Sequence, residues 1–348
     1  VPSFDMTLDN CGRATTAATS IAGLSIRDLT VQNGGSVAIS QTQPLRHVSV
    51  LGSRAALVPG TLATGNLTLT DTPAFAMESP QTLGAVSIQG TSSEMTLTGE
   101  FHVASFNMAA GSITHLAGDE RGLAILSSGT VSIGAAATIS AAAKGYPASE
   151  GPGQGSDSTF DAAGAGYGGT GGSAGSGNAT PGGVYGAPDR PELLGSGGGN
   201  WLGNPARGGG AGGGFIRIDT PTTLTLHGLL SANGAAGTAP NWGGGGGSGG
   251  SIWLSAGSFT GTGLVTSNGA SGGSWSGQPN GGAGGGGRIA IYSCNVTVPI
   301  GNIRAVRGTG AGTAGNGTIH FGSGSVQITE QPVGGDYRGG DFFQMNVA

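Results

Sequence analysis

Through residues 1–142, apolar and polar positions alternate in short runs separated by Gly, Asn, Asp or Pro. VSVL at 48–51, LTLT at 67–70, MTLT at 95–98 and VSI at 131–133 are examples. A two-residue period of Val, Ile, Leu and Thr marks a half-buried β-strand. The i, i+3, i+4, i+7 spacing of an amphipathic helix is absent over any long window. The pattern predicts an all-β protein.

Beyond residue 142 the same strands return in a longer unit: strand, polar turn, strand, small-residue turn, glycine tract. Copies are FIRIDTPTTLTLHGLLSANG at 215–234, SIWLSAGSFTGTGLVTSNG at 251–269 and RIAIYSCNVTVPIGNIRAVRG at 288–308. An earlier copy spans 122–145, and Thr318-IHF with Val326-QI forms a last partial one. The matching residues Ile216, Ile252 and Ile289 stand 36 and 37 apart. A fixed period of this size predicts stacked units. The fold expected is a β-solenoid, parallel β-helix-like, with a Thr/Val-rich region at 1–142 and a glycine-rich region at 143–348 interrupted by a long insertion at 145–207.

Glycine sharpens the division. Of 76 glycines, 15 lie in residues 1–140 and 61 follow. No strict Gly-X-Y period runs through the tracts, which excludes collagen. Ordering glycine costs about 0.5–1 kcal/mol more than ordering alanine. Two states use such tracts: a flexible loop, or an extended left-handed threefold helix whose bare backbones bond side by side. Three tracts at matching places argue for the second, a packed polyglycine-II-type flank.

The second half, with its tract, strand and "SANG"-type turn, resembles the glycine-rich β-repeat regions of large bacterial surface proteins. That resemblance covers roughly residues 120–320. The first half resembles passenger-type β-solenoids of secreted adhesins. The tracts are similar to the polyglycine regions of phage tail-fibre adhesins and of the anaplastic-lymphoma-kinase receptor family. The resemblance implies architecture and a place outside the cell, and carries over no functional residue.

Charge and chemistry narrow the picture. Charged residues are 9% of the chain, Lys144 is the one lysine and the formal net charge is −5. Without a basic stripe, nucleic acid is not an expected partner. No stretch reaches the ~20 apolar residues of a membrane span. The tracts end in Phe215, Ser251 and Arg288 and lack the Lys-Ser/Thr of a phosphate loop. His47, His102, His115, His227 and His320 have no metal-ligand spacing and read as exposed strand residues. Gly153-Gln-Gly155-Ser-Asp157, with Asp161, is a single imperfect copy of a calcium nonapeptide; the alternative is loop acids in solvent. No cofactor is expected.

Trp201, Trp242 and Trp275 each precede a glycine tract. They are either a stacking platform for glycans or rings that cover the ends of the glycine array with their indole N–H bonded. Trp253, inside a strand, is core or stacks between strands. Cys11 and Cys294 suffice for one disulfide, within a chain or between subunits, or remain free thiols. Asn66, Asn178, Asn295 and Asn316 head N-glycosylation sequons. The acids are scattered, without the close pair that a glycoside-cleaving site needs.

The function expected is structural or adhesive and not catalytic: an extracellular or cell-surface stalk or filament subunit. The apolar alternation at Phe4–Leu8 and Phe342–Val347 suits head-to-tail self-association or docking on other surface proteins. The alternatives are a polysaccharide-binding module, a polysaccharide-cleaving β-helix enzyme, and an ice-binding protein suggested by the Thr-rich strands, although no regular Thr-x-Thr array in consecutive units is evident.

Overall fold

The computed structural model describes residues 4–12, 19–21, 24–38, 43–52, 55–56, 62–72, 75–78, 81–175, 179–202, 208–238, 243–275 and 278–322. Among these the protein is all-β, with one short 3-10 turn at Ile300–Asn302. Seventeen strands join in one sheet system whose pairings are parallel. The single antiparallel pairing is the small ribbon of Ser274–Trp275 with Gln278–Pro279.

Successive passes of the chain lie side by side along three faces. On the first face, Leu123, Ile216, Ile252, Ile289 and Ile319 pair in turn. The three isoleucines matched by sequence are therefore direct neighbours. On the second face the row runs Leu29, Val48, Leu67, Val86, Phe106, Val131, Leu224, Phe259 and Val296. The third carries Ile113, Ile139, Leu230, Val265 and Ile303. All but Ile319 and Val296, at the end of the stack, are buried and face one core. Period-2 alternation puts every second side chain inward, and each buried Leu or Ile adds about 1.5–3 kcal/mol.

The first region has a short period of its own. Residues 28, 47 and 66 occupy successive positions of the second face, a step of 19. The sheet then continues across residue 142: Val131–Ser140 pairs directly with Phe215–Leu226 and Leu229–Ser231.

The intervening chain packs against the glycine tracts. Gly195 donates to Gly213 O at 2.8 Å, Gly198 to Gly210 O at 2.9 Å, Ala165 to Gly246 O at 3.0 Å and Gly285 to Ala165 O at 2.8 Å. Within 244–250 the amides take acceptors in rotation. Gly244, Gly247 and Gly250 donate to Thr238, Ala235 and Ala232; Gly245 and Ser248 to Gly199 and Ser196; Gly246 and Gly249 to Gly282 and Gly285. The tract 281–287 repeats the scheme, with Gly281, Gly284 and Gly287 bonded to Gly273, Ala270 and Ser267. Each tract thus meets a given neighbour at every third residue.

The backbones approach too closely for side chains. A Cβ on Gly245 would lie 1.8 Å from Ala163 O, and one on Gly247 would lie 2.0 Å from Ala211 O. Where a side chain does enter, it bonds: the hydroxyl of buried Ser248 accepts the Ser196 amide at 2.9 Å.

Arg288 anchors the intervening chain to the sheet. It is 5% exposed. Its guanidinium donates to Tyr185 O at 2.7 and 3.0 Å and to Thr318 Oγ1 at 3.1 Å, and lies 5.3 Å from the Tyr167 ring centre. Burial lowers its pKa, while the two tyrosines oppose that shift. A guanidinium suits this place because its five donors can satisfy several carbonyls at once.

Candidate functional site

Three outward features follow from the parallel register. The first is a row of small polar side chains on the second face: Thr7, Thr30, Ser49, Thr68, Ser87, Asn107, Ser132, Thr225 and Thr260. All are partly or fully exposed, and Thr225 and Thr260 lie with their hydroxyls 3.4 Å apart. The sequence reading found no regular array because Ser and Asn alternate with Thr. The step of 19 reveals its stretch from Thr30 through Ser49 and Thr68 to Ser87.

The second is an aromatic and charged patch on the first face. The pairings Arg217–Trp253 and Trp253–Ala290 place it. Arg217 lies 4.4 Å from the Trp253 ring centre and Arg190 lies 5.7 Å from it. Tyr292 follows at 6.5 Å and its own ring stands 5.6 Å from His320. Trp253 is therefore the stacked outward residue of its two expected roles. Arg217 also pairs with Asp219, Nε to Oδ2 at 2.8 Å. The other Asp219 oxygen and the Trp253 indole nitrogen are buried without a hydrogen-bond partner.

Beside this patch an open groove of about 750 Å³ crosses successive passes. His102, Ser128, Asp219, Ser255 and Cys294 bring polar atoms to it, among small residues such as Ala256 and Pro221. Asp219 is the one carboxylate of its lining. The groove can offer hydroxyls, an imidazole and one acceptor to an extended chain, but it has no aromatic platform and no second acid.

The third feature is the pair of outermost strands among the described residues. Phe4–Asp9 pairs only with Ile26–Gln32, and Thr318–Gly322 only with Arg288–Val296, among the described residues. Phe4 is 47% exposed, Phe321 46% and Ile300 66%.

The residues singled out by sequence distribute as follows. Trp201 is buried, and its indole N–H donates to Thr159 O at 2.9 Å. No ring face is left open there, so at this position the tryptophan packs and offers no glycan platform. Trp275 lies in the short antiparallel ribbon, and Trp242 lies outside the described residues. Asp157 accepts the Asn200 amide at 2.7 Å and the Ser149 hydroxyl. Asp161, expected as a loop acid, is instead buried and accepts the Gly243 amide at 3.1 Å. Among the described residues no cluster of three His, Cys, Asp or Glu could hold a metal ion.

Cys11 and Cys294 are exposed, free thiols and are not joined to each other. Asn66, Asn295 and Asn316 are exposed. Their side chains bond the Ala85 amide, the Ser258 hydroxyl and the Arg307 amide. Asn178 and the segment Phe342–Val347 fall outside the described residues, as does Val326. No helix among the described residues is long and apolar enough to cross a membrane.

One histidine departs from its expected exposure. His115 is 1% exposed. Its Nδ1 donates to Leu116 O at 2.8 Å and its Nε2 accepts the Phe215 amide at 3.2 Å. That network requires the neutral ring, and burial lowers its pKa below the ordinary 6.5. Nothing in the local sequence distinguishes it from the exposed histidines, because its partner is 100 residues away.

No family model, curated protein or solved structure matches the chain.

Proposed function

We propose that the chain is an extracellular β-solenoid with a polyglycine-II-type flank, serving as a structural or adhesive element: a surface stalk or a filament subunit that self-associates head to tail. The observation that carries this reading is the three-residue rotation of hydrogen-bond partners along 244–250 and 281–287. A left-handed threefold helix turns its amides by a third of a circle per residue and so meets three neighbours in succession. Buried tracts that bond on all sides make a stiff body, and the cost of ordering so much glycine is offset only where close backbone contact is needed. The low charge and polar outward strands suit a surface outside the cell. The scattered acids, with one carboxylate in the groove, favour scaffold over catalyst.

Amide hydrogen exchange combined with electron microscopy tests this. The expected result is elongated particles with amides of 244–250 and 281–287 protected as strongly as the strand cores. Free exchange in the tracts, or compact isotropic particles, would sink the reading.

A second reading has one observation in its favour, the outward row of eight hydroxyls and the Asn107 amide. Neighbouring strands lie about 4.8 Å apart, so the row repeats regularly over nine strands and could order water as an ice-binding face. Thermal hysteresis and ice-recrystallisation assays check it, with Thr68→Lys and Thr225→Lys expected to abolish any activity of the parent chain. A parent without activity removes this reading.

A further inference from the structure

We infer that the groove where the first face turns into the second binds an extended, uncharged polysaccharide chain laid across successive passes. The inference rests on the adhesive side of the reading above and names the ligand class of that adhesion.

The parallel register builds the site. Thr82, His102, Leu126, Asp219, Ser255 and Tyr292 pair in turn. Each stands beside a core residue, as His102 does between buried Phe101 and Val103, so the row points outward. The first five line the groove. With passes about 4.8 Å apart, the row is about 24 Å long. Tyr292 carries it on to the aromatic patch, its ring 6.5 Å from that of Trp253. Concave sites with a few converging polar groups are where ligands bind. One that repeats along a line suits a ligand that is itself a line of similar units.

The polar groups left over set the chemistry. Ser127 and Thr220, also in the lining, direct their hydroxyls to the Gly129 carbonyl at 3.0 and 2.6 Å. His102, Ser128 and Ser255 make no side-chain hydrogen bond to another described residue. Asp219 accepts from Arg217 through Oδ2, while its Oδ1 is enclosed without a donor. A carboxylate oxygen in that state is costly, and a ligand hydroxyl entering from the groove supplies the missing donor. Hydroxyls both donate and accept, so a sugar matches an imidazole, two serines and this oxygen together.

Two other ligand classes fit less well. The lining has no Lys or Arg, and its one carboxylate is already paired with Arg217. An acidic glycan therefore finds no cation in the groove. A peptide strand finds no open backbone edge there, because the passes beneath are bonded to one another on both sides.

A glycan array followed by titration calorimetry, both with the full chain, tests the inference. Neutral linear oligosaccharides should bind, with affinity rising until the oligomer spans about 24 Å and then levelling. His102→Ala should weaken binding about twofold to tenfold, and Ser128→Arg about tenfold or more. Both positions are exposed, so the thermal melt should not move. Leu264→Arg, exposed on the third face, should change neither binding nor melt. Cys294 gives a second readout, being exposed and part of the lining. Saturating oligosaccharide should slow its alkylation severalfold, followed by mass spectrometry, and leave that of Cys11 unaffected.

Absence of binding to every neutral linear glycan on the array overturns the inference. So does binding confined to acidic glycans, or binding indifferent to the two groove variants and without effect on Cys294. Particle shape and amide exchange in the glycine tracts are measured without sugar, so failure of the groove and failure of the scaffold are told apart.

Discussion

The passes before and after residue 142 are built from the same alternating strands and differ in what lies between them. In the first region a pass takes 19 to 25 residues along the second face, most often 19, as from Asp28 to His47. In the second it takes 36 or 37, as from Ile216 to Ile252 to Ile289. The additional length leaves the sheet along 232–238 and returns along 243–250, segments that bond each other at Gly244, Gly247 and Gly250. The first region is therefore held by buried side chains and strand pairing, whereas the second adds a body held mainly by backbone-to-backbone bonds. Two solutions to stability stand on one sheet: one fills space with methyl groups, the other removes most of the side chains that would keep backbones apart.

The comparison is sharpest for changes of a single carbon. Adding one at Gly245, by Gly245→Ala, drives a Cβ to within 1.8 Å of Ala163 O. A loss of about 3 kcal/mol is expected in thermal or denaturant unfolding. Gly183→Ala is the control, because a Cβ there meets nothing within 4 Å; its effect should stay within about 0.5 kcal/mol. Equal effects at the two glycines would show that close backbone contact is not what holds the glycine-rich region together.

Arg288→Met comes next. It removes bonds from a buried cation to the carbonyls of Tyr185 and Tyr167 and to Thr318 Oγ1, and a cost of about 1.5–3 kcal/mol follows for charged hydrogen bonds. The loss should be local: faster amide exchange around Tyr167 and Tyr185, with residues 43–114 unaffected. Removing one carbon from the first region, by Ile88→Val, should cost only about 0.5–1.5 kcal/mol, measured in the same unfolding assay.

The smallest effect is set by pH. His115 is held neutral, with a folded pKa below its ordinary 6.5. The unfolded chain thus binds more protons than the folded one in that window. The contribution is complete above about pH 6.5 and is lost progressively as pH falls toward the folded value. His115→Gln, which can still accept the Phe215 amide, should flatten this part of a stability-against-pH curve.

Much of the strand arrangement was legible because apolar spacing survives in one dimension. Ile216, Ile252 and Ile289 were matched by sequence and do pair. The shorter step was equally present, in Leu29, Val48, Leu67 and Val86. It is masked by a vocabulary of Val, Leu, Ser and Thr so limited that many offsets look alike. Missing it hid the start of the polar row, since Thr30, Ser49, Thr68 and Ser87 become neighbours at that step. The rest depended on partners distant in sequence. Trp201 resolves as packing because Thr159 accepts its N–H, and Asp161 is buried because Gly243 lies 82 residues away in the chain. Local pattern carries no information about such meetings.

The rotation of bonding along the tracts has a mechanical consequence. Were the two ends of the molecule drawn apart, each early pass would be held by its strand partners alone and could peel off singly, in small steps. A later pass is also tied sideways to segments contributed by chain far upstream, so tension entering it spreads over several neighbours at once. In a force–extension trace the glycine-rich half should let go last and as one block.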